Sequence, residues 1–442
     1  MVPATSVPTG TPGTGASRLV HTVDIALAQP YPALGVPTTI PMTVTAKDLS
    51  GNVIAAPDVY SNPITVTDED TSGHTSLTRT VLNAPSDIIA LRYDGSYFPP
   101  RGLHADWADP TGVTIEPFRQ IATGIPTNEW SLGAGHIAVS VTRGGDGAIW
   151  FADYGAGAIG RSAAAGIASF YPLGSGWQPL TVAAGPDRVV WFVAGGAFNA
   201  VGPYPGVGRI GLDGSLGSIW PTSYSYGRDL VVASDGVAFM NQLNRVTRIT
   251  PAGMMTNIPF TYSDGNTVHT NTLVVGADGA LYATSTGTLF RYDRSSGTQT
   301  SSPFPINAGG RAIDPAVMIA AADGSLYFDD LGSSLYRQSI PTGTVVLIGR
   351  GSATPQQGDA LSPTSLALAR DGTLWFSSFQ TSLDGQPFFG HVVGGAVQML
   401  VGQSKVAAKN SNFQDVPASS IVLGADGRLW YSRSDSLGSF AP

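Results

Sequence analysis

A turn carrying Asp, followed at once by an aromatic strand, recurs seven times from residue 145 onward, and no other feature restricts the fold so strongly. The copies are GDGAIWFAD at Gly145, GPDRVVWFV at Gly185, SDGVAFMN at Ser234, ADGALYATS at Ala277, ADGSLYFDD at Ala322, RDGTLWFSS at Arg370 and ADGRLWYSR at Ala425. Their aspartates, 146, 187, 235, 278, 323, 371 and 426, are 41, 48, 43, 45, 48 and 55 residues apart, the length of a four-stranded propeller blade. Each unit reads as an apolar inner strand such as HIAVSV, a hairpin turn whose Asp-Gly supplies the positive φ a tight reversal needs, an aromatic second strand, and two more strands. The aromatics Trp150, Trp191, Phe239, Tyr282, Tyr327, Trp375 and Trp430 are expected to fill the space between neighbouring blades. A unit of this kind cannot bury both of its faces alone, so the fold class is all-β, with a seven-bladed β-propeller.

The composition agrees. Of 442 residues, 42% are apolar and 12% charged, with 55 Gly and 32 Pro, which favours turns and strands over long charged helices. Only three Lys (47, 405, 409) and three Glu (69, 116, 129) occur, so good helix formers are scarce. The formal charge of −8 and the absence of a basic run argue against nucleic acid. No apolar run is long enough to span a bilayer as a helix, and no signal segment is visible at the N-terminus. With no cysteine, disulfides and thiolate metal sites are excluded.

Before the repeats, residues 1–17 form a Pro, Thr and Gly tail with little to bury. In residues 18–99 short runs alternate with turn signals, and at Pro41 to Lys47 and Ile64 to Val66 every second residue is apolar or β-branched, the pattern of a β-sandwich. Residues 100–111 are expected to be a hinge. The segment GVTIEPFRQIAT, residues 112–123, precedes the first repeat and is expected to complete the last blade of the 112–442 propeller, which otherwise ends at Pro442 on an unpaired edge.

Two resemblances add to this. The stretch TVTAKDLSGNVI followed by NPITVTDEDTSG resembles the bacterial immunoglobulin-like repeats of adhesins and surface proteins, which implies an N-terminal immunoglobulin-like β-sandwich. The unit GAIWFADYGAGAIGRSAAAGIASFYPL followed by LTVAAGPDRVVWF resembles the streptogramin (virginiamycin B) lyase-like propellers, with their Gly-Pro-Asp-Gly turn and their Leu-Trp-Phe, Ile-Gly-Arg and Phe-Pro-Leu strands. That resemblance implies a lyase that opens a cyclic depsipeptide ester by elimination, using histidine and glutamate with a bound magnesium ion. From Ser131 to Pro442 the chain has no glutamate, a departure that bears on the reaction and not on the fold.

Counting back from each turn Asp reaches the start of the inner strand, where His136, Asp229, His269, Asp314 and Asp415 stand. His136, His269 and Asp314 are the catalytic candidates, a set that could serve as base and acid or hold a divalent cation such as magnesium or calcium. A solvated channel rim calls for the same residue types, and the sequence reading favours the rim, with no cofactor. The run DEDTSG at Asp68 and the pair Asp329, Asp330 suit turns better than calcium loops. His21, His74, His104 and His391 read as surface residues. No phosphate loop, nucleophile elbow or His-Glu-x-x-His helix occurs.

The expectation is therefore an exported, non-enzymatic structural or adhesive protein of the cell surface or exterior. It would assemble with identical subunits, plausibly as a filament, through its tail and sandwich. The alternatives are a metal-dependent lyase at the channel mouth and a carbohydrate- or peptide-binding propeller that contacts surface glycan or protein through Tyr204, Tyr224 and Tyr226.

Overall fold

The computed structural model describes residues 15–108, 117–164, 167–186, 188–195, 205–222, 229–242, 245–262, 264–331, 334–340, 342–350, 361–404 and 419–442. Among these every regular element is a β-strand, and the chain divides into two units, Met1–Ile125 and Pro126–Pro442.

The first unit holds two four-stranded sheets. One runs in the order Thr22–Leu27, Thr38–Lys47, Ile89–Tyr93, Thr75–Leu77, and the other Phe118–Ile121, Arg101–Asp106, Ile64–Asp68, Val81–Leu82. Alternate residues face inward: in Thr22–Leu27 the side chains of Val23 and Ile25 are buried while Thr22, Asp24 and Ala26 are exposed. Val23, Ile25, Ile40 and Leu91 from one sheet share a core with Ile64, Val66, Leu103 and Ile121 from the other. The unit is thus longer than residues 18–99. Arg101–Asp106 is not a hinge but the strand between Ile64–Asp68 and Phe118–Ile121, because Leu103 and Ala105 are wholly buried.

The second unit contains, among the described residues, seven antiparallel sheets built largely of consecutive strands. The first comprises Ala138–Arg143, Ile149–Asp153, Ala158–Ala164 and Ile167–Pro172, the second Gln178–Ala184, Val189–Gly195, Gly206–Gly211 and Leu216–Pro221, and the third Leu230–Val232, Ala238–Gln242, Arg245–Ile249 and Met255–Ile258. The fourth comprises Leu273–Val275, Leu281–Ser285, Thr288–Tyr292 and Gln299–Pro303, and the fifth Met318–Ala320, Ser325–Asp329, Ser334–Ser339 and Val345–Arg350. The sixth includes Pro363–Leu368, Leu374–Thr381, Pro387–Val393 and Ala396–Gln403. The innermost strand of each sheet touches that of the next, and Ser420–Leu423 of the seventh touches Ala138–Arg143 of the first.

The seventh sheet joins the two ends of this unit. Its strands Ser420–Leu423, Leu429–Arg433 and Ser436–Phe440 are completed on the outside by Asn128–Ser131, with Trp130 opposite Leu437. Of residues 112–123 the described strand Phe118–Ile121 does not supply that outer strand, since it pairs with Arg101–Asp106 in the first unit. Asn128–Ser131 qualifies because it brings two side chains the seventh sheet needs. Trp130 stacks on Trp430, ring centroids 5.4 Å apart, as Tyr171 does on Trp150 at 5.8 Å in the first sheet. Glu129 meets Arg433, Oε2 to Nη1 3.4 Å, with both side chains essentially inaccessible to water, and Glu129 Oε1 accepts a hydrogen bond from Ser436 Oγ at 2.5 Å.

The repeated aromatic does fill the space between sheets. Trp150 packs with Val182, Val190 and Phe192 of the second sheet, Trp191 with Leu230 and Met240 of the third, and Phe239 with Leu273, Leu281 and Phe290 of the fourth. Tyr282 joins Met318 and Phe328 of the fifth, and Trp430 joins Val141 and Phe151 of the first.

The next residue along obeys a different rule. Phe151 lies opposite Gly160, where an added Cβ would come within 2.0 Å of the phenyl ring. Phe192 over Gly208, Phe376 over Gly390 and Tyr431 over Gly438 repeat the arrangement. In the fourth sheet the sizes are exchanged, Ala283 standing opposite Phe290. The fifth sheet is the exception, with Phe328 opposite Tyr336 and their rings stacked at 5.9 Å; in the first, second, fourth, sixth and seventh sheets the space holds one large side chain per pair.

Candidate functional site

Each sheet of the second unit has two ends, and the chemistry-bearing residues divide between them. At the end carrying the Asp turn, the residue after the Asp takes the left-handed conformation, with φ of 78° at Gly147, 77° at Gly279 and 84° at Gly324, and of 55° at Arg188 in the second sheet. The preceding Asp acts as an acceptor instead. Asp146 Oδ1 accepts from the Ala148 amide and from Trp150 Nε1, both at 3.2 Å, while Arg161 approaches Oδ2 at 2.7 Å. Burial would raise the Asp146 carboxyl, but the bonds from Arg161, Trp150 and Ala148 outweigh it and hold the group below its ordinary value.

The arginine comes from the third strand of the sheet, directly opposite the aromatic. Arg161 faces Trp150, Arg209 faces Trp191, Arg291 faces Tyr282 and Arg337 faces Tyr327. Guanidinium carbons stand 5.7 Å from the Trp150 ring and 5.9 Å from Tyr327, and Arg209 lies between Trp191 and Trp220 at 5.2 and 5.4 Å, within cation–π range. In the fourth sheet Tyr282 donates to Asp278 at 2.9 Å, and burial, then the Asp278 bond, pushes the phenol up to about 12. This Asp–aromatic–Arg unit escaped the sequence reading, though Ile-Gly-Arg at residues 159–161 was the visible sign of it: the glycine makes room for Phe151 and the arginine covers Trp150.

In the sixth sheet a histidine takes the arginine's place. His391 lies opposite Trp375 with ring centroids 4.2 Å apart, its Nε2 is 3.0 Å from Gln398 Oε1, and it is 9% exposed, so it is not the surface residue expected. Burial pulls its pKa below 6.5, against weaker opposing effects of Gln398 and Asp371. A folded-state value below the unfolded one means that the unfolded chain binds the proton more readily, so this contribution to stability is lost as pH falls through about 6.5. The expected result is that His391→Gln removes part of the decline in Tm between pH 7.5 and 5.5. Equal slopes in wild type and variant would contradict it.

The opposite end holds the catalytic candidates. His136 precedes the first inner strand and bonds through Nδ1 to the buried Asp153, with its ring 4.1 Å from Phe170. Asp153 also accepts the Ile137 amide at 2.9 Å and the Ala156 amide at 3.2 Å. Asp314 precedes the fifth inner strand and accepts from Asn271 Nδ2 at 2.7 Å, while its amide donates to Asp330 Oδ1 at 3.1 Å. Burial and the Asp330 charge raise the Asp314 carboxyl, and the Asn271 bond offsets part of this. His269 is exposed, two residues before Asn271, and it is Asn271, not His269, that reaches Asp314. Asp229 Oδ2 accepts the Leu273 amide at 3.1 Å.

Asp329 and Asp330 are buried and occupied. Asp329 Oδ1 accepts the Ala316 and Val317 amides at 2.7 and 2.9 Å, and Asp330 Oδ2 accepts from Asn307 at 2.6 Å. In the first unit Asp68 and Asp70 are engaged by Ser72 and Thr75, and His104 pairs with Glu69 at 2.7 Å. Among the described residues no three His, Asp or Glu side chains converge on one point, and the carboxylates near His136 and Asp314 are filled by N–H donors. These residues do not fit a bound magnesium ion. Asp187, Asp415, Tyr204, Tyr224 and Tyr226 lie outside the described residues, as do residues 1–14 and 112–116.

Comparison with known proteins agrees with this architecture. A search of curated protein sequences found no match. Among solved structures, a streptogramin B lyase superposes with a TM-score of 0.54 at 19% identity, covering 71% of this chain and 96% of that one. A virginiamycin B lyase from Staphylococcus aureus gives 0.56 at 18% identity, covering 72% and 99%, and a catalytically inactive form of that enzyme with quinupristin gives 0.55 at 19%, covering 72% and 99%. At these identities the likeness carries the β-propeller fold alone. The sequence profile of the virginiamycin B lyase family matches residues 113–377. With more than half its length matched, the chain belongs to the virginiamycin B lyase family.

Proposed function

We propose that this member of the family is an exported, non-enzymatic structural or adhesive protein, a seven-bladed propeller preceded by an immunoglobulin-like sandwich, which assembles with its own copies through its N-terminal region. The observation that carries the non-enzymatic reading is the use made of the candidate residues. His136, Asp153, Asp314 and Asp330 are engaged in tying loops to strands and sheets to one another, and Glu129, the one glutamate in the sequence from residue 126 onward, is buried against Arg433. An acid–base catalyst needs a side chain aimed at open space where a substrate stands.

The assembly reading rests on the first unit. The base of the tail is tied to the unit's own sheet region: Ser17–Arg18 pairs in parallel with Val59–Tyr60, and Asp58 accepts from the Ala16 amide and from Arg18 Nε at 2.9 and 2.8 Å. The tail beyond is rich in Pro, Thr and Gly, a composition that gains order by lying against another surface.

One preparation tests both parts. Full-length protein incubated with quinupristin and magnesium, then followed by liquid chromatography and mass spectrometry, is expected to leave the depsipeptide intact. In negative-stain micrographs the same protein is expected to form multimers that a version lacking residues 1–17 does not. Chelator-sensitive opening of quinupristin would overturn the non-enzymatic reading and restore the lyase, and single particles in both micrographs would overturn the assembly.

A further inference from the structure

The third sheet departs from the arrangement of the first, fourth and fifth, and the departure leaves an arginine side chain without a partner among the described residues. Arg248 stands opposite Phe239, the position from which Arg161, Arg291 and Arg337 each cover an aromatic and meet the turn Asp of their own sheet. Here the turn Asp is Asp235, and its ion pair is with Arg294, which reaches across from the fourth sheet. Arg294 also donates from Nη1 to the Gly279 carbonyl at 3.3 Å and lies 5.3 Å from the Phe239 ring centroid. The place Arg248 would take is occupied. Among the described residues Arg248 has no hydrogen bond or ion pair, and it is only partly exposed.

The displaced guanidinium lines a depression of about 330 Å³ between the third and fourth sheets, with Asp278, Arg291, Asp293 and Ser295 on the other wall. Two of the three carboxylates here are already matched by cations, Asp278 by Arg291 at 2.9 Å and Asp235 by Arg294. Asp293 Oδ1 accepts from the Ser295 and Ser296 amides and from Ser295 Oγ, while its Oδ2 has only Arg291 at 3.8 Å. The depression therefore offers one unmatched fork of N–H donors and one carboxylate oxygen with spare accepting capacity.

We propose that this depression binds an acidic sugar, with the sugar carboxylate paired to Arg248 and a ring hydroxyl donating to Asp293. A guanidinium and a carboxylate match as two parallel N–H···O bonds, and the volume lies in the range of small-molecule sites. A sugar acid is favoured over the carboxyl end of a peptide because its rigid ring offers several hydroxyl donors toward Asp293 Oδ2, whereas the last residue of a peptide offers a single backbone N–H beside its carboxylate. The proposal does not depend on whether the propeller is catalytic or self-assembling.

The test is calorimetric titration of the full-length protein with glucuronate, with glucose and N-acetylglycine as controls. Glucuronate is expected to bind, and each control to bind at least tenfold more weakly. Arg248→Gln is expected to weaken glucuronate at least tenfold. Arg294→Ala leaves Arg248 in place but frees Asp235 and the Phe239 face for it, and is expected to weaken binding as well, with folding of both variants verified by thermal melts. Absence of glucuronate binding, unchanged binding in folded Arg248→Gln, or N-acetylglycine binding as tight as glucuronate would each overturn the proposal.

Discussion

Glu129→Ala is expected to destabilise the second unit by about 3–5 kcal/mol, the usual cost of removing one partner of a buried ion pair. The charge left behind is that of Arg433, among the largest wholly buried side chains of the protein. Arg433 also donates to the Gly385 carbonyl, a neutral acceptor. Ser436 Oγ would keep only the Arg433 carbonyl as acceptor, and Tyr431, whose phenol burial and then the Glu129 charge hold well above the ordinary value, would lose a neighbouring negative charge. The measurement is Tm by calorimetry, where a fall on the order of 10 °C is expected. Removing both charges with the apolar pair Glu129→Leu and Arg433→Met should recover much of the loss. A Glu129→Ala protein that melts within 2 °C of wild type, with ~1 kcal/mol or less at stake, would show that the seam does not depend on this pair.

The second large effect concerns Phe151. Phe151→Ala removes a wholly buried ring, one edge of which meets Phe170 at 5.9 Å between centroids, and is expected to lose about 3–5 kcal/mol. Gly160→Phe alone has no room for its ring, given the 2.0 Å approach of a mere Cβ to Phe151, and is expected not to fold stably. Combined, the two substitutions reproduce the arrangement of Ala283 and Phe290 in the fourth sheet, and the double variant is expected to be more stable than either single one. Chemical denaturation gives the three values, and additive losses in the double variant would refute exchangeable packing.

Both predictions concern contacts of unequal visibility in the sequence. The turn Asp and the aromatic after it were legible because seven copies vary around one spacing, so the repeat itself singles them out. The closing strand was not, since Asn128–Ser131 is four residues long and has no copy in its vicinity. A longer and more strand-like run, residues 112–123, stood nearby, and its FRQI segment is claimed by the first unit, where Gln120 and Ile121 are buried. The Glu129–Arg433 pair joins residues 304 apart, a separation at which composition and periodicity carry no signal.

The candidate site was legible as positions and not as partners. Among the described candidates His136, Asp229, His269 and Asp314 stand one to four residues before an inner strand, but His136 and Asp153 sit on opposite sides of a hairpin, and only the register of Ala138 against Asp153 brings them together. Likewise the spacing of Asp314 from His269 suggested a pair, whereas Asn271 is the side chain directed across the sheets. Histidine in the sixth sheet gave no hint of burial, because the arginine it replaces is half-exposed in the other sheets and His391 is shorter.

The placement of Asn128–Ser131 has a consequence for how the molecule comes into being. A ribosome delivers this strand before the other strands of the seventh sheet, and its partner Ser436–Phe440 some three hundred residues later. Through some three hundred residues of synthesis the seventh sheet's outer strand has nothing to pair with, and Trp130 has no ring to stack on. The first five sheets are assembled from near neighbours in the chain and can form as they emerge, but this pairing must wait for Ser436–Phe440, and contacts of such long sequence separation form slowly. The newborn chain thus carries an open, aromatic strand edge until Ser436–Phe440 arrives, and any product cut short before residue 433 keeps that edge open for good.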